Sequence, residues 1–195
     1  MTKIAIVHHS GYGHTARVAQ AVLEGAQAVA GVEAKLLSVA DANEAFWAEL
    51  AAADAIVFGA PTYMGSASAK FKEFMDASSK SWFAMGSKGW KDKLAAGFTV
   101  SASQSGDKLG TLMELMIFAN QHGMIWVSLG LPPGNNSSKG SVDDLNRLGS
   151  FSGAMVQANA DQGADAIRDS DLKTAAHLGQ RVAEQALRFA GANYR

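Results

Sequence analysis

The sequence predicts a doubly wound α/β fold, in which helices cover both faces of a parallel sheet. Short apolar runs alternate with amphipathic stretches along the chain, which is the pattern of successive β-α units. The strand-like runs are apolar throughout, as expected of parallel strands that are buried on both faces. The chain has 195 residues, of which 48% are hydrophobic, and we expect residues 1–195 to form a single domain around five strands.

Five segments have the length and composition of buried strands. The first reads Lys-Ile-Ala-Ile-Val-His, and the third is a short apolar run closed by Gly59. The predicted strands are residues 3–8, 33–39, 54–59, 93–101 and 125–128.

Five further segments carry apolar residues at helical spacing. The first helix begins at Thr15 and places Ala19, Val22, Leu23 and Ala26 at i, i+3, i+4 and i+7. The other predicted helices are residues 43–53, 67–78, 108–122 and 172–190.

Residues 129–170 interrupt this alternation. The segment is too long for an ordinary connection and contains the sequence Pro-Pro-Gly-Asn-Asn-Ser-Ser. We therefore expect it to serve function or subunit contact and to be partly mobile.

Composition excludes several classes of function. The 17 basic and 18 acidic residues give a net charge of −1, which removes the electrostatic basis for binding nucleic acid or an anionic membrane. The absence of cysteine excludes disulfides, thiolate catalysis and metal sites built on sulfur. No apolar run is long enough to span a bilayer, and the chain enters a strand without a signal peptide, so we expect a cytoplasmic protein without membrane insertion.

Residues 10–15, Ser-Gly-Tyr-Gly-His-Thr, join the first strand to the first helix. A loop of small residues at this place presents N–H groups and a helix N-terminus to an anion. Gly11, Gly13 and Ala16 match the dinucleotide pattern G-x-G-x-x-A, but that pattern also needs an acidic residue at the end of the second strand. The second strand ends without one, which favours a terminal monophosphate, as in FMN, over a bridging pyrophosphate. An ordinary strand-to-helix turn near Thr15 stays the alternative.

Two further loops follow strands at the same edge of the predicted sheet, where ligands of doubly wound folds bind. The loop after the third strand has Pro for stiffness, Tyr and Met to pack on a ring, and Gly for close approach of an amide. The loop after the fourth strand offers N–H and hydroxyl donors for the polar edge of a heterocycle. The candidate cofactor-binding residues are Ser10, Gly11, Tyr12, Gly13, His14 and Thr15 in the first loop, Pro61, Thr62, Tyr63, Met64 and Gly65 in the second, and Ser101, Ala102, Ser103, Gln104, Ser105 and Gly106 in the third.

Residues 10–15, together with residues 59–66 and 71–76, resemble the flavodoxin-like NAD(P)H:quinone oxidoreductases, and among them the tryptophan-repressor-binding-protein (WrbA) family. The similarity continues in residues 122–124 and 178–183, so it covers nearly the whole chain. The resemblance implies a flavodoxin-like five-stranded parallel sheet with strand order 2-1-3-4-5 and FMN as the cofactor.

The resemblance also implies roles for individual residues. The first loop would surround the FMN phosphate, the second would lie beside the isoalloxazine ring, and the third would hold the ring or the ribityl chain. His122 would reach the flavin site as a catalytic donor, Trp82 would wall the substrate pocket, and Tyr12 would lie near the nicotinamide. From the sequence alone, His122 is also explained as a helix-terminal residue before Gly123, and Trp82 as a buried aromatic.

We therefore expect an FMN-dependent oxidoreductase that passes two electrons from NADH or NADPH to a quinone-type acceptor by a ping-pong mechanism, without a protein nucleophile or a metal. A flavodoxin-type electron carrier, a general NAD(P)H-dependent flavin reductase and a flavin-free binding protein stay open. We also expect a homodimer or homotetramer. Members of the family carry an insertion before the third strand that is associated with the tetramer, and residues 42–53 leave no room for it here.

Overall fold

The computed structural model describes residues 1–80 and 89–191. Its strands are β1 (Thr2–His8), β2 (Val32–Ser38), β3 (Ala55–Tyr63), β4 (Ser66–Ala67), β5 (Leu94–Ser101), β6 (Ile125–Trp126) and β7 (Ala154–Gln157). Its helices are α1 (His14–Gln27), α2 (Glu44–Ala52), α3 (Ala69–Ala77), α4 (Lys108–Gln121) and α5 (Asp169–Gly191), with short 3₁₀ turns at Val39–Asp41 and Ala164–Ala166. Within the two described ranges, no helix has the length and apolar character to cross a membrane.

The main sheet is parallel and has the order β2-β1-β3-β5-β6, which confirms the predicted doubly wound fold. It differs in detail from the order 2-1-3-4-5, because the fifth position is divided between two strands. β6 pairs with Leu94 and Ala95 at the start of β5, and β7 pairs with residues 98–101 at its end. The two-residue β4 adds an antiparallel pair to the end of β3.

The divided strand corrects two predictions. The strand predicted at residues 125–128 ends at Trp126, and the segment predicted as one long connection contains β7. We call residues 127–153 the excursion. Its two ends are tied together, because Trp126 Nε1–H donates to the Ser152 carbonyl (2.7 Å) and Leu129 N–H donates to the Phe151 carbonyl (3.0 Å).

The sheet is buried on both faces. Successive residues of a strand point to opposite sides, so Ile4 and Ile6 of β1 enter the core beneath α1 and α5, whereas Ala5 and Val7 enter the core beneath α2, α3 and α4. This arrangement explains why the strand runs are apolar throughout.

The helices α1 and α5 approach each other so closely that each needs a glycine at the contact. A Cβ on Gly25 would overlap the Ala176 carbonyl, and a Cβ on Gly179 would overlap the Val22 carbonyl. Gly179→Ala should therefore lower the free energy of unfolding by about 2–3 kcal/mol, since the helices must separate. Gly191→Ala, at the end of α5 where a Cβ meets nothing within 4 Å, should be neutral or stabilising. Urea denaturation measures both, and equal stability of the two variants would contradict the close packing.

Candidate functional site

The carboxyl ends of four strands meet at one edge of the sheet. His8 of β1 is level with Gly59 of β3, and Ser101 at the end of β5 is level with Gln157 at the end of β7. The loops after β1, β3, β5 and β7 therefore converge, and the first three of them are the loops predicted from the sequence. We call them the first, second, third and fourth loops.

The first loop gives α1 an N-terminus with open backbone donors. Gly13 precedes the helix with a left-handed φ of 91° and provides no side-chain cap. The first intrahelical bond runs from Arg17 N–H to the Gly13 carbonyl (3.0 Å), so the N–H groups of the first three helical residues have no acceptor within the helix. The first turn contains no acidic residue, and Thr15 is only 2% exposed. This end of α1 is therefore suited to an anion.

The second loop is a tight hairpin between β3 and β4. Met64 and Gly65 have φ values of 50° and 85°, which is the pattern of a type I′ turn. Glu114 of α4 fixes the hairpin, because its Oε2 accepts Ser66 Oγ–H (2.7 Å) and Ala67 N–H (2.9 Å). The turn therefore projects Met64 into solvent from a fixed base.

Thr62 is anchored behind the second loop by a chain of buried hydroxyls. Its Oγ1 lies 2.8 Å from Thr99 Oγ1 and 2.7 Å from Thr111 Oγ1. Thr99 Oγ1 in turn donates to the Ala60 carbonyl (2.7 Å). The chain joins β3, β5 and α4, so the backbone at Thr62 is held from both sides.

The first two loops touch through a tyrosine. The Tyr63 hydroxyl lies against Gly11, where a Cβ would come within 2.6 Å of it, so a side chain at residue 11 would displace the phenol. The rings of Tyr12 and Tyr63 meet edge to face, with centroids 6.3 Å apart. Burial raises the pKa of the Tyr63 phenol, and Tyr12 adds to this effect. Tyr12 itself is 81% exposed, which places it at the mouth of the site.

The third loop is built on a buried lysine that the sequence analysis did not identify. Lys108, the first residue of α4, has no exposed surface. Its Nζ donates to Ser101 Oγ (2.7 Å), the Ser103 carbonyl (2.8 Å) and the Gln104 carbonyl (2.8 Å). Burial lowers the pKa of Lys108 to about 8.

The fourth loop, residues 158–163, was also missed by the sequence analysis, because β7 was not predicted. The His14 ring donates from Nε2 to the Gln162 carbonyl (2.8 Å) and so joins the first loop to the fourth. Gln157, the last residue of β7, donates from Nε2–H to the Ala102 carbonyl (2.8 Å) and joins the strand before the fourth loop to the third loop. These bonds close the ring of loops around the site.

The loops enclose a cavity of about 470 Å³, within the usual range of ligand sites. Its lining brings together nine of the predicted residues and adds Val100 and two residues of the fourth loop. The lining residues are Ser10, Tyr12, His14, Thr15, Pro61, Thr62, Tyr63, Val100, Ser101, Ala102, Ala158 and Ala160. No carboxylate is among these lining residues. The cavity thus has the N-terminus of α1 on one side, and it extends between the second and third loops.

Other predicted residues lie beside the cavity. Gln104 and Ser105 line a neighbouring cavity of about 580 Å³ between the third loop and the excursion. The Ser103 carbonyl faces Lys108, and Gly106 has a φ of 53° that a side chain would strain. Trp82 lies outside the described residues.

His122 is not among the residues that line this cavity, and its expected part at the flavin stays a prediction. α4 begins at the carboxyl edge of the sheet, and its 14 residues carry the chain about 21 Å toward the opposite edge. His122 ends the helix there, followed by Gly123 with a left-handed φ of 70°, as a helix terminus requires. Its ring packs on Trp90 and Phe118, with centroid distances of 4.2 and 5.0 Å.

The buried position of His122 makes the stability of the protein sensitive to acid. Ser78 Oγ–H donates to the Met75 carbonyl (2.7 Å), so Ser78 Oγ accepts the hydrogen of His122 Nε2 (2.8 Å). Burial lowers the pKa of His122 from 6.5 to about 4. As the pH falls below 6.5, the unfolded chain takes up a proton that the native ring refuses, so the free energy of unfolding should decrease by about 2–3 kcal/mol by pH 4.

Urea titrations of the ligand-free protein at pH 7, 5.5 and 4.5 test this expectation. His122→Gln cannot take up the proton and should lose less stability than the wild type over the same range. Parallel pH profiles of the two proteins would show that His122 does not carry the effect.

Comparison with known proteins places these features in a family. The chain matches the family model described as NADPH-dependent FMN reductase over residues 2–132. It is 49% identical over 183 residues to flavodoxin FldP of Pseudomonas aeruginosa (strain UCBPP-PA14), with 94% of this chain and 96% of that protein covered. It is 34% identical over 209 residues to an NAD(P)H dehydrogenase (quinone) of Geotalea uraniireducens (strain Rf4), with coverages of 96% and 99%. The solved structure of a WrbA-like flavodoxin from Agrobacterium tumefaciens is 43% identical, with a TM-score of 0.75 and coverages of 96% and 99%.

Proposed function

Because the chain belongs to the NADPH-dependent FMN reductase family and is a WrbA-like member of it, we propose that it passes two electrons from NAD(P)H to a quinone-type acceptor by a ping-pong mechanism. The chain is an oxidoreductase whose cofactor is FMN and whose electron donor is NAD(P)H. The identity of the acceptor and the order of binding are the parts that we propose.

The residues of the cavity fit FMN. A phosphate dianion needs donors without competing carboxylates, and the N-terminus of α1 supplies N–H groups, the Thr15 hydroxyl and the Ser10 hydroxyl with no acid in the first turn. A flat ring needs two close walls, and the second and third loops supply them at Tyr63 and Ala102. The observation that carries the proposal is this combination of a helix N-terminus and a walled slot in one cavity.

When bound, FMN supplies the hydride and electron chemistry. The protein's own residues hold and orient it. In this proposal, Ser10, Gly13, His14 and Thr15 surround the phosphate, the second loop lies against the ring, and the His14–Gln162 bond keeps the fourth loop over the site.

The mouth of the cavity supports alternate occupation by donor and acceptor. With FMN in this cavity of about 470 Å³, a nicotinamide and a quinone would both approach it from the mouth. The exposed ring of Tyr12 lies at this mouth and offers a face on which either planar group can stack. A shared mouth means that the oxidised nicotinamide leaves before the quinone enters.

Steady-state kinetics of the FMN-loaded protein test the proposal. Oxidation of NADH or NADPH should depend on added benzoquinone, and double-reciprocal plots at several quinone concentrations should be parallel. Intersecting lines would contradict the ping-pong order. Free FMN as the only acceptor provides the comparison with a flavin reductase.

A second candidate is an electron carrier, favoured by the 49% identity to a protein named flavodoxin. A carrier would take up FMN and accept electrons from a reduced protein partner but would not oxidise NAD(P)H in the presence of quinone. The same assay separates the two functions, because a yellow, FMN-loaded protein without turnover supports the carrier.

We further propose that the chain acts as a homodimer or homotetramer. Leu109, Met113 and Ile117 are 56%, 40% and 54% exposed and lie at i, i+4 and i+8 on α4, so they form one apolar stripe. Sedimentation velocity measures the assembly, and a monomer at micromolar concentration would contradict this part of the proposal.

A further inference from the structure

The buried side chain of Lys108 is unusual in both its burial and its partners. Lysine is almost never fully buried unless it is paired, yet this residue has no exposed surface. All three donors of its ammonium group bond to uncharged oxygens, namely Ser101 Oγ and the carbonyls of Ser103 and Gln104. Burying a charged group costs free energy, and such groups cluster at functional sites, so a buried lysine at the edge of a ligand cavity indicates a functional role.

The nearest charges do not neutralise the ammonium group directly. Asp171 and Arg147 act on Lys108 in opposite senses, and they form a buried ion pair with each other (2.7 Å). Although burial lowers the pKa of Lys108 to about 8, most of the side chains carry a proton at pH 7. A positive charge is therefore held behind the third loop, one hydrogen bond from Ser101 in the cavity wall.

The ammonium group also determines which way the loop peptides face. In a trans peptide, the carbonyl of one residue and the N–H of the next point in opposite directions, and the described residues contain no cis peptide bond. Because the carbonyls of Ser103 and Gln104 point toward Lys108, the N–H groups of Gln104 and Ser105 point away from it. The lysine thus turns two backbone donors outward.

We propose that Lys108 is a positioning residue of the FMN site, which fixes the third loop behind Ser101 and Ala102 in the cavity wall and holds a positive charge there. This inference rests on the proposed function. Reduced FMN carries more negative charge than oxidised FMN, so a fixed cation nearby binds the reduced form more tightly. Lys108 therefore acts on both the affinity for FMN and its reduction potential.

The test compares Lys108→Met, which removes the charge and keeps an unbranched side chain one atom shorter, with Lys108→Arg, which keeps the charge. Lys139→Met removes an exposed charge from the excursion and serves as the control. Fluorescence titration gives the dissociation constant of oxidised FMN, and dye equilibration gives the midpoint potential of the bound cofactor. Circular dichroism establishes that each variant is folded.

Lys108→Met should raise the FMN dissociation constant at least ten-fold, and it should weaken binding of reduced FMN about ten-fold more than that of oxidised FMN. For a two-electron couple, this ratio lowers the midpoint potential by about 30 mV. Lys108→Arg should retain a potential near that of the wild type, and Lys139→Met should match the wild type in both measurements.

A Lys108→Met protein with the potential of the wild type would overturn the inference, even if its affinity for FMN falls. If Lys108→Met does not fold, Lys108→Gln replaces it, since an amide retains donors to the loop carbonyls without the charge. A wild-type protein that binds FMN but does not oxidise NAD(P)H with quinone would count against the proposed function and leave the test of Lys108 intact.

Discussion

Thr15→Asp should weaken FMN binding about a thousand-fold, the largest effect that we expect of any single substitution on the site. Thr15 is the second residue of α1, is 2% exposed and borders the cavity. A carboxylate there would repel a phosphate bound at this helix N-terminus, and two unit charges at about 4 Å repel each other by about 4 kcal/mol at an effective dielectric constant near 20. Fluorescence titration of the FMN-free protein measures the loss.

Thr15→Asn is the matched control, because asparagine has the shape of aspartate without its charge. It should bind FMN within about ten-fold of the wild type. Urea denaturation of the FMN-free variants separates any loss of stability, caused by placing a charge at this 2% exposed position, from the loss of FMN affinity. Equal FMN affinities of the two variants would show that no phosphate lies at the N-terminus of α1.

The elements that could be predicted from the sequence are those that a local sequence pattern determines, such as β1 and α1. The buried run of β1 and the glycines of the first loop are contiguous in sequence, and the observed boundaries Thr2–His8 and His14–Gln27 differ from the predicted ones by one residue at their starts. The convergence of the first three loops followed from the topology, because the carboxyl ends of parallel strands share an edge.

The fourth loop could not be predicted in the same way, because the strand before it, β7, has only four residues, Ala-Met-Val-Gln. Such a run has no decisive periodicity, and its place is determined by pairing with residues 98–101 of β5. A weak signal did exist, because the apolar run at Ala154–Gln157 is followed at once by a cluster of Asn, Asp and Gly.

The locations of His122 and Lys108 show a different limit. A motif match identifies a residue, but it does not show how deeply the residue is buried or at which end of a helix it lies. Lys108 begins α4 and His122 follows its end, so the 14 residues of the helix place the two at opposite edges of the sheet. Lysine is normally a surface residue, so only the three-dimensional cluster of loop oxygens shows why Lys108 is buried.

The second large effect is expected from the ion pair that holds the excursion and β7 against α5. Arg147 and Asp171 are 6% and 2% exposed in their side chains. They form a two-pronged contact, with Nε to Oδ1 at 2.8 Å and Nη2 to Oδ2 at 2.7 Å, and Asp171 Oδ2 also accepts Gln157 N–H (3.1 Å). Asp171→Asn should lower the free energy of unfolding by about 3–5 kcal/mol, because it leaves a buried guanidinium without its counter-charge.

Asp169→Asn is the matched control on the same helix. Asp169 pairs with Lys173 at the surface, where the two side chains are 83% and 68% exposed, so its loss should cost less than about 0.5 kcal/mol. Urea denaturation compares the two variants, and similar losses would show that burial does not strengthen the Arg147–Asp171 pair.

Because Gln157 joins Asp171 to the Ala102 carbonyl of the third loop, Asp171→Asn should also weaken FMN binding, whereas Asp169→Asn should not. The double variant Arg147→Met/Asp171→Leu should recover much of the stability, since it removes both buried charges together, but it should not recover the FMN affinity, because leucine offers no acceptor for Gln157 N–H.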